Sequence, residues 1–342
     1  MKNKLICFLV GEAPHNKKGE ILQFPTIKSV PHYFQTAAPQ QFFISQEKLM
    51  IENYEGVMTL KAYHPHILLA EASFDIDNIF SEEMILFKDV VLDRCRDFLK
   101  EKGVKNVEEF SEEYSVFVVS DYNGAPEQLL KHKEMIAGLL KSEKLALDLA
   151  EVDYTLASQI KYAQNDLVIV DWDGAFIFDK EGDYASTLEL LQLANFQLLR
   201  YRILDKRIDE RLHKIANLVH ESPIGKFSLF TKMDVKQALK ENILVRSLSI
   251  SEFQALDRDI KLIGDWYFAR LYDLVSKKFK LEEWRKAIKE KLDAIEKIYQ
   301  IASEKFTISW ERRGRALELF GWYVLLIGWL VLLILDIYFY KK

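Results

Sequence analysis

The feature that most constrains this chain is its last segment, Leu319 to Tyr340 (LFGWYVLLIGWLVLLILDIYFY), whose 22 residues include one side chain charged at neutral pH, Asp336. As a helix the segment rises about 33 Å, against a hydrocarbon core of about 30 Å. Trp322, Tyr323, Tyr338 and Tyr340 lie toward its ends, Arg312, Arg313 and Arg315 precede it, and Lys341 and Lys342 follow. Aromatic and basic flanks of this kind predict one C-terminal transmembrane helix over residues 317–340, with the lipid bilayer as a partner.

The other terminus argues about orientation. Leu5–Val10 follows two lysines, but six apolar residues are too few for an export signal and read better as a first strand. The bulk of the chain is therefore expected on the cytoplasmic side. That makes it a single-pass, tail-anchored protein, with the bacterial inner membrane as first location and an organelle membrane as second. Cys7 and Cys95 lack any C-x-x-C spacing, so buried free thiols are expected. A net charge of −5, from 47 basic and 52 acidic side chains, argues against a nucleic-acid partner.

The fold class predicted is α+β: a mixed α/β domain over residues 1–182 containing a β-hairpin, then a coiled-coil-like helical domain over 183–316. Leu5–Val10, Ser115–Val119 and His66–Ala70 read as strands. Ser81–Lys102 opens with Ser81 and two glutamates and stops at Gly103, which predicts a helix. A second helix is expected after Ala125-Pro126, running to about Lys141. Pro25, Pro31 and Pro39 make residues 11–40 irregular.

Leu167–Asp179 (LVIVDWDGAFIFD) holds two apolar runs around Asp173-Gly174, a pair that supplies positive φ in a tight hairpin turn. From Asp183 to about Val219 an apolar face recurs at three- and four-residue steps, until Ser222-Pro223-Ile224-Gly225 breaks it. Ser249 and Glu252 form a capping box that opens a helix to about Phe279. Leu281, Trp284, Ile288, Leu292, Ile295, Tyr299, Ala302 and Phe306 then form a coiled-coil seam. With no proline after Pro223, a helix of about 60 residues is possible. Gly314, Gly321 and Gly328 recur every seven residues and are candidate helix-packing positions.

Few motifs carry chemistry. Asp171-Trp172-Asp173-Gly174 after an apolar run resembles the first motif of the haloacid-dehalogenase phosphatases, which implies Asp171 as nucleophile and Asp173 as acid/base. The resemblance covers about eight residues, and Phe176–Phe178 continues as a strand where that family turns toward a helix. Solvent-facing aspartates on a β-hairpin are the simpler expectation. His64-Pro65-His66 reads as a surface turn, Asp179–Asp183 as a turn and helix cap, and the mixed charges of Arg200–Arg211 as a solvated helix flank. No catalytic site, metal site or cofactor is predicted.

The order of parts resembles the YagE family, also called the required-for-meiotic-nuclear-division family, over about residues 167–338. The supporting residues are the strand-turn-strand LVIVDWDGAFIF, the tract Trp266–Tyr272, the helix Trp284–Tyr299 and Leu317-Glu318. The resemblance implies a single-pass membrane-anchored protein without an assigned catalytic site. The function expected is a membrane-anchored, self-associating scaffold or adaptor, a homo-oligomer with unidentified protein partners. The alternatives are a subunit of an oligomeric transport or channel assembly, and a magnesium-dependent phosphatase using Asp171 and Asp173.

Overall fold

The computed structural model describes residues 1–13, 20–21, 41–63, 67–220 and 266–340, without the side chains of 20–21, 214–220, 298–317 and 335–340. The His64-Pro65-His66 turn, the Ser222–Gly225 break and the Ser249/Glu252 capping box lie outside the described residues, as does most of 11–40. Two compact units are formed, one by Met1–Arg207 with Ser247–Ile288, the other by Ile208–Arg246 with Lys289–Lys342.

The first unit is organised by a nine-stranded sheet in the order β2-β3-β4-β5-β1-β6-β9-β8-β7. Its long strands are β1 (Lys2–Glu12), β3 (Gln41–Ile51), β4 (Tyr54–Tyr63), β5 (Ile67–Ile76) and β6 (Ser111–Ser120), with β8 (Asp166–Val170) and β9 (Gly174–Asp179) forming the predicted hairpin. Two-residue strands, β2 (Glu20–Ile21) and β7 (Gln159–Ile160), close the edges. All pairings are antiparallel except β6 with β9. β1 lies between β5 and β6, and Leu5 to Val10 are buried on both faces. A strand covered on both sides needs no polar alternation, which is why LICFLV reads as one apolar run.

On one face, Leu5, Cys7, Leu9, Ala70, Ala72 and Phe117 pack with Val91, Cys95, Phe98 and Leu99 of α1 (Glu83–Glu101). Gly103 ends α1 as expected, at φ +91°. Its start differs from expectation, because Ser81 Oγ donates to Asn78 O and no side chain caps the first turn. The helix expected after Pro126 divides into a 3-10 segment, Pro126–His132, and α2 (Lys133–Lys141). Asp148 caps α3 (Leu149–Leu156) by accepting from Ala150 N. The other face takes α4 (Ala185–His220) through Arg202, which donates to Glu112 and to the carbonyls of Ser111 and Glu109. Lys206 and Arg207 likewise reach Glu109 and Glu12. Three basic residues of the charged stretch of α4 thus reach the sheet.

Beyond α4, the described chain resumes as α5 (Trp266–Lys278). Lys280, at φ +51°, separates it from α6 (Leu281–Tyr340), a helix of 60 residues. Leu281 and Ile288 of the predicted seam are buried in the first unit; in the second, Leu292 and Ile295 are buried and Lys291 Nζ donates to Asp209 Oδ2 at 2.7 Å. Of the seam residues with described side chains, all but the half-buried Trp284 are therefore covered within the single chain. Tyr299, Ala302, Phe306 and Gly314 are helical, but their side chains lie outside the described residues.

The expectation of a C-terminal transmembrane helix is overturned. Among the described residues no helix is long and apolar enough to cross a membrane. The single-pass, tail-anchored description falls with it, and so does the assignment to a bacterial inner membrane or an organelle membrane with a cytoplasmic bulk.

Candidate functional site

The one motif with chemical potential sits where β8 turns into β9. The hairpin closes at Val170 paired with Ala175, and Asp171 N donates to Gly174 O at 2.9 Å, so Trp172 and Asp173 form the tip. Gly174 does not take the positive φ that an Asp-Gly turn implies. Its need for glycine is contact instead: a Cβ there would lie 2.7 Å from Ser115 O on the parallel neighbour β6.

Asp171 is not solvent-facing. It is 5% exposed, and Lys278 Nζ, at the end of α5, donates to its Oδ1 at 3.0 Å. Its Oδ2 lies 3.4 Å from Lys141 Nζ, at the end of α2, in a charge contact without hydrogen-bond geometry. Lys141 also pairs with Glu151 at 2.8 Å. Burial alone pulls the Lys141 ammonium down, but its hydrogen bond to Glu151 and the charge of Asp171 more than offset this and leave it raised. Two cations from different helices thus converge on one buried carboxylate.

Aromatic rings wall this cluster. Tyr114 donates its hydroxyl to Asp171 O at 3.0 Å and meets Phe279 edge-on at 5.6 Å, and Phe279 meets Trp172 at 5.9 Å. Lys278 Nζ also lies 5.1 Å from the Tyr154 ring centroid. Burial, with Asp171 and Asp173 nearby, holds the Tyr114 hydroxyl far above the ordinary tyrosine range. Asp173 is raised too, mainly by burial, with Glu113 and Asp171 adding to it and Lys88 and Lys141 opposing.

The arrangement has some of what phosphoryl transfer requires, a carboxylate beside cations and a second carboxyl two residues on that holds its proton more tightly. Its first carboxylate is buried, and among the described residues no group of three or more His, Cys, Asp or Glu could hold a metal ion. β8 also leads into an antiparallel strand rather than a helix. Lys141, Lys278, Tyr114 and Phe279 could not be read from the motif, because none is its sequence neighbour. The only hint was that α2 and α5 each end on lysine.

The other candidate residues lie elsewhere. Asp179 Oδ1 accepts from Glu181 N and Asp183 N, and Gly182 is at φ +78°, making the expected turn. On α6, Gly321 and Gly328 face open space, with nothing within 4 Å of where a Cβ would stand.

Residues 28–185 match the family model described as Uncharacterized protein MJ0711, N-terminal domain. Over its length the chain is similar to Uncharacterized protein MJ0711 of Methanocaldococcus jannaschii, at 28% identity over 307 residues covering 90% of each chain. Neither match carries a YagE designation. No solved structure matches the chain.

Proposed function

We propose that this protein is a non-enzymatic scaffold that self-associates through the later part of α6. The observation that carries the reading is exposure: every large apolar side chain from Leu319 to Ile334 is 43–71% exposed in the single chain. At roughly 25 cal/mol per Å² of apolar surface, such a segment gains several kcal/mol by being covered. A second copy of the same segment is the occupant that fits best, since Gly321 and Gly328 lie seven residues apart with open space at both and would admit a close helix neighbour. The buried state of Leu281, Ile288, Leu292 and Ile295 within the chain leaves the glycine face, not the seam, for that contact.

Sedimentation of the full chain in mild detergent over a wide concentration range tests this. The wild type should form a discrete oligomer, and Gly321→Leu with Gly328→Leu should shift it toward monomer, because leucine is as apolar but holds the backbones apart. A wild-type monomer at every concentration, or an unchanged oligomer in the double variant, removes the reading.

One observation favours the phosphatase alternative: Asp173 holds its proton more tightly two residues from a carboxylate flanked by Lys141 and Lys278. Against it, both lysines are already paired with that carboxylate. Turnover of p-nitrophenyl phosphate with magnesium that disappears in Asp171→Asn would establish the alternative and displace the scaffold.

A further inference from the structure

The exposed part of α6 carries apolar side chains on more of its circumference than one neighbour can cover. Gly321 and Gly328, one heptad apart, point within about 20° of each other. Val324 and Leu325 flank the first, and Val331 and Leu332 the second. A helix packed on this face covers a stripe of roughly 100°, so most of the large apolar side chains between Leu319 and Ile334 stay outside it.

Across the helix from the glycines runs a second pattern. Leu319, Tyr323, Leu326, Leu330 and Leu333 follow one another at steps of 4, 3, 4 and 3 residues. At about 100° per residue these five lie on one side of α6, centred opposite Gly321 and Gly328. They are 43–67% exposed in the single chain, whereas Leu281, Ile288, Leu292 and Ile295 of the earlier seam are buried. An alternation of four and three is the spacing at which one helix sets its knobs into the holes of another with the same repeat. A second α6 supplies that repeat at the same length. An exposed apolar surface that continues round the helix from the glycine face marks a further contact rather than a free side.

We propose that the Leu319–Leu333 side of α6 is a second self-association face, which takes the same side of another copy, so that the assembly contains more than two chains. The proposal rests on the reading that the glycine face takes one copy; the opposite side then takes the next.

Sedimentation velocity of the full chain in mild detergent, over a wide concentration range, tests the second face with two double variants. The substituted leucines are exposed and the glycines have open space around them, so neither variant disturbs the core. Leu326→Gln with Leu330→Gln sets amides in the middle of the leucine side and should reduce the wild-type assembly to a dimer held by the glycines. Gly321→Leu with Gly328→Leu should leave a dimer held by the leucine side, and all four substitutions together should give a monomer. A wild type that stops at a dimer, unchanged by the glutamines and dissolved by the glycine substitutions, overturns the second face and leaves the glycine reading standing. A dimer dissolved by the glutamines and untouched by the glycine substitutions removes the glycine reading, and with it an assembly of more than two, so it overturns the proposal as well. A wild-type monomer at every concentration, its α6 covered by detergent alone, overturns both.

Discussion

Lys278 Nζ donates to Asp171 Oδ1 at 3.0 Å across 107 residues of sequence, and this contact fixes the end of α5 to the start of the β8–β9 turn. Asp171→Asn should therefore act on stability. Removing the charge leaves Lys278 and Lys141 partly buried without their shared anion, at a cost of about 2–4 kcal/mol. Urea unfolding followed by tryptophan fluorescence checks this. Lys291→Ala, which breaks the more exposed pair with Asp209, should cost less than about 1 kcal/mol in the same assay. Equal effects of the two substitutions would contradict the hub role of Asp171.

Glycines at three places should respond differently to alanine. Gly174→Ala drives a Cβ to 2.7 Å from Ser115 O, a backbone atom held by the β6–β9 pairing, and should cost more than about 2 kcal/mol. Gly103→Ala meets no atom but forces alanine to φ +91°, costing about 1–2 kcal/mol. Gly321→Ala meets neither problem and, inside a helix, should stabilise by up to about 1 kcal/mol. A Gly174→Ala midpoint matching the wild type would refute the close-approach explanation.

Both thiols should be silent in the native state. Cys7 and Cys95 are fully buried against one another's elements, with Cys95 Sγ 3.8 Å from Cys7 O. Burial pushes the Cys7 thiol up to about 12 and raises Cys95 well above its usual range, so almost no thiolate is present at neutral pH. A chromogenic disulfide reagent should titrate no thiol before denaturation and two per chain after it. Fast native labelling would show that the sheet face under α1 opens readily.

Global stability should fall as pH rises from about 4.5 to about 7. A carboxyl raised by folding binds its proton more tightly in the native state, so its contribution is complete below the unfolded value and is lost as pH climbs through the folded one. Glu189 supplies this slope, at up to roughly 3 kcal/mol, and Asp173 acts in the same direction. Denaturant midpoints measured across that range should decline in the wild type and decline less in Glu189→Gln. A midpoint that rises over the range would show that other carboxylates dominate.

What could be read in advance followed from how each segment is covered. The apolar run of β1, the Gly103 stop of α1 and the length of α6 are local signals, and each matches the fold. β3 and β4 escaped because QFFISQEKLM is half-buried or exposed over most of its length, leaving no apolar alternation, and because Gly56 looks like a breaker. Gly56 instead makes room beside Phe74, with Ser73 O 2.7 Å from where its Cβ would be. Asp171 escaped for a different reason. A carboxylate between a short strand and a turn looks solvated until the lysines that bury it, from α2 and α5, are in place. The turn itself shifted by one residue because β9 must also lie flush against β6.

The parallel pairing of β6 with β9 sets an order of assembly. An antiparallel neighbour can zip from its turn, but β9 can meet β6 only after the intervening chain, with α2, α3 and β7–β8, has closed a long loop. β1, β5 and β6 can collapse onto α1 before that loop closes, so the hairpin lobe joins a sheet already formed. The Tyr114 hydroxyl of β6, donating to Asp171 O of the hairpin, then acts as a rivet across a joint made last.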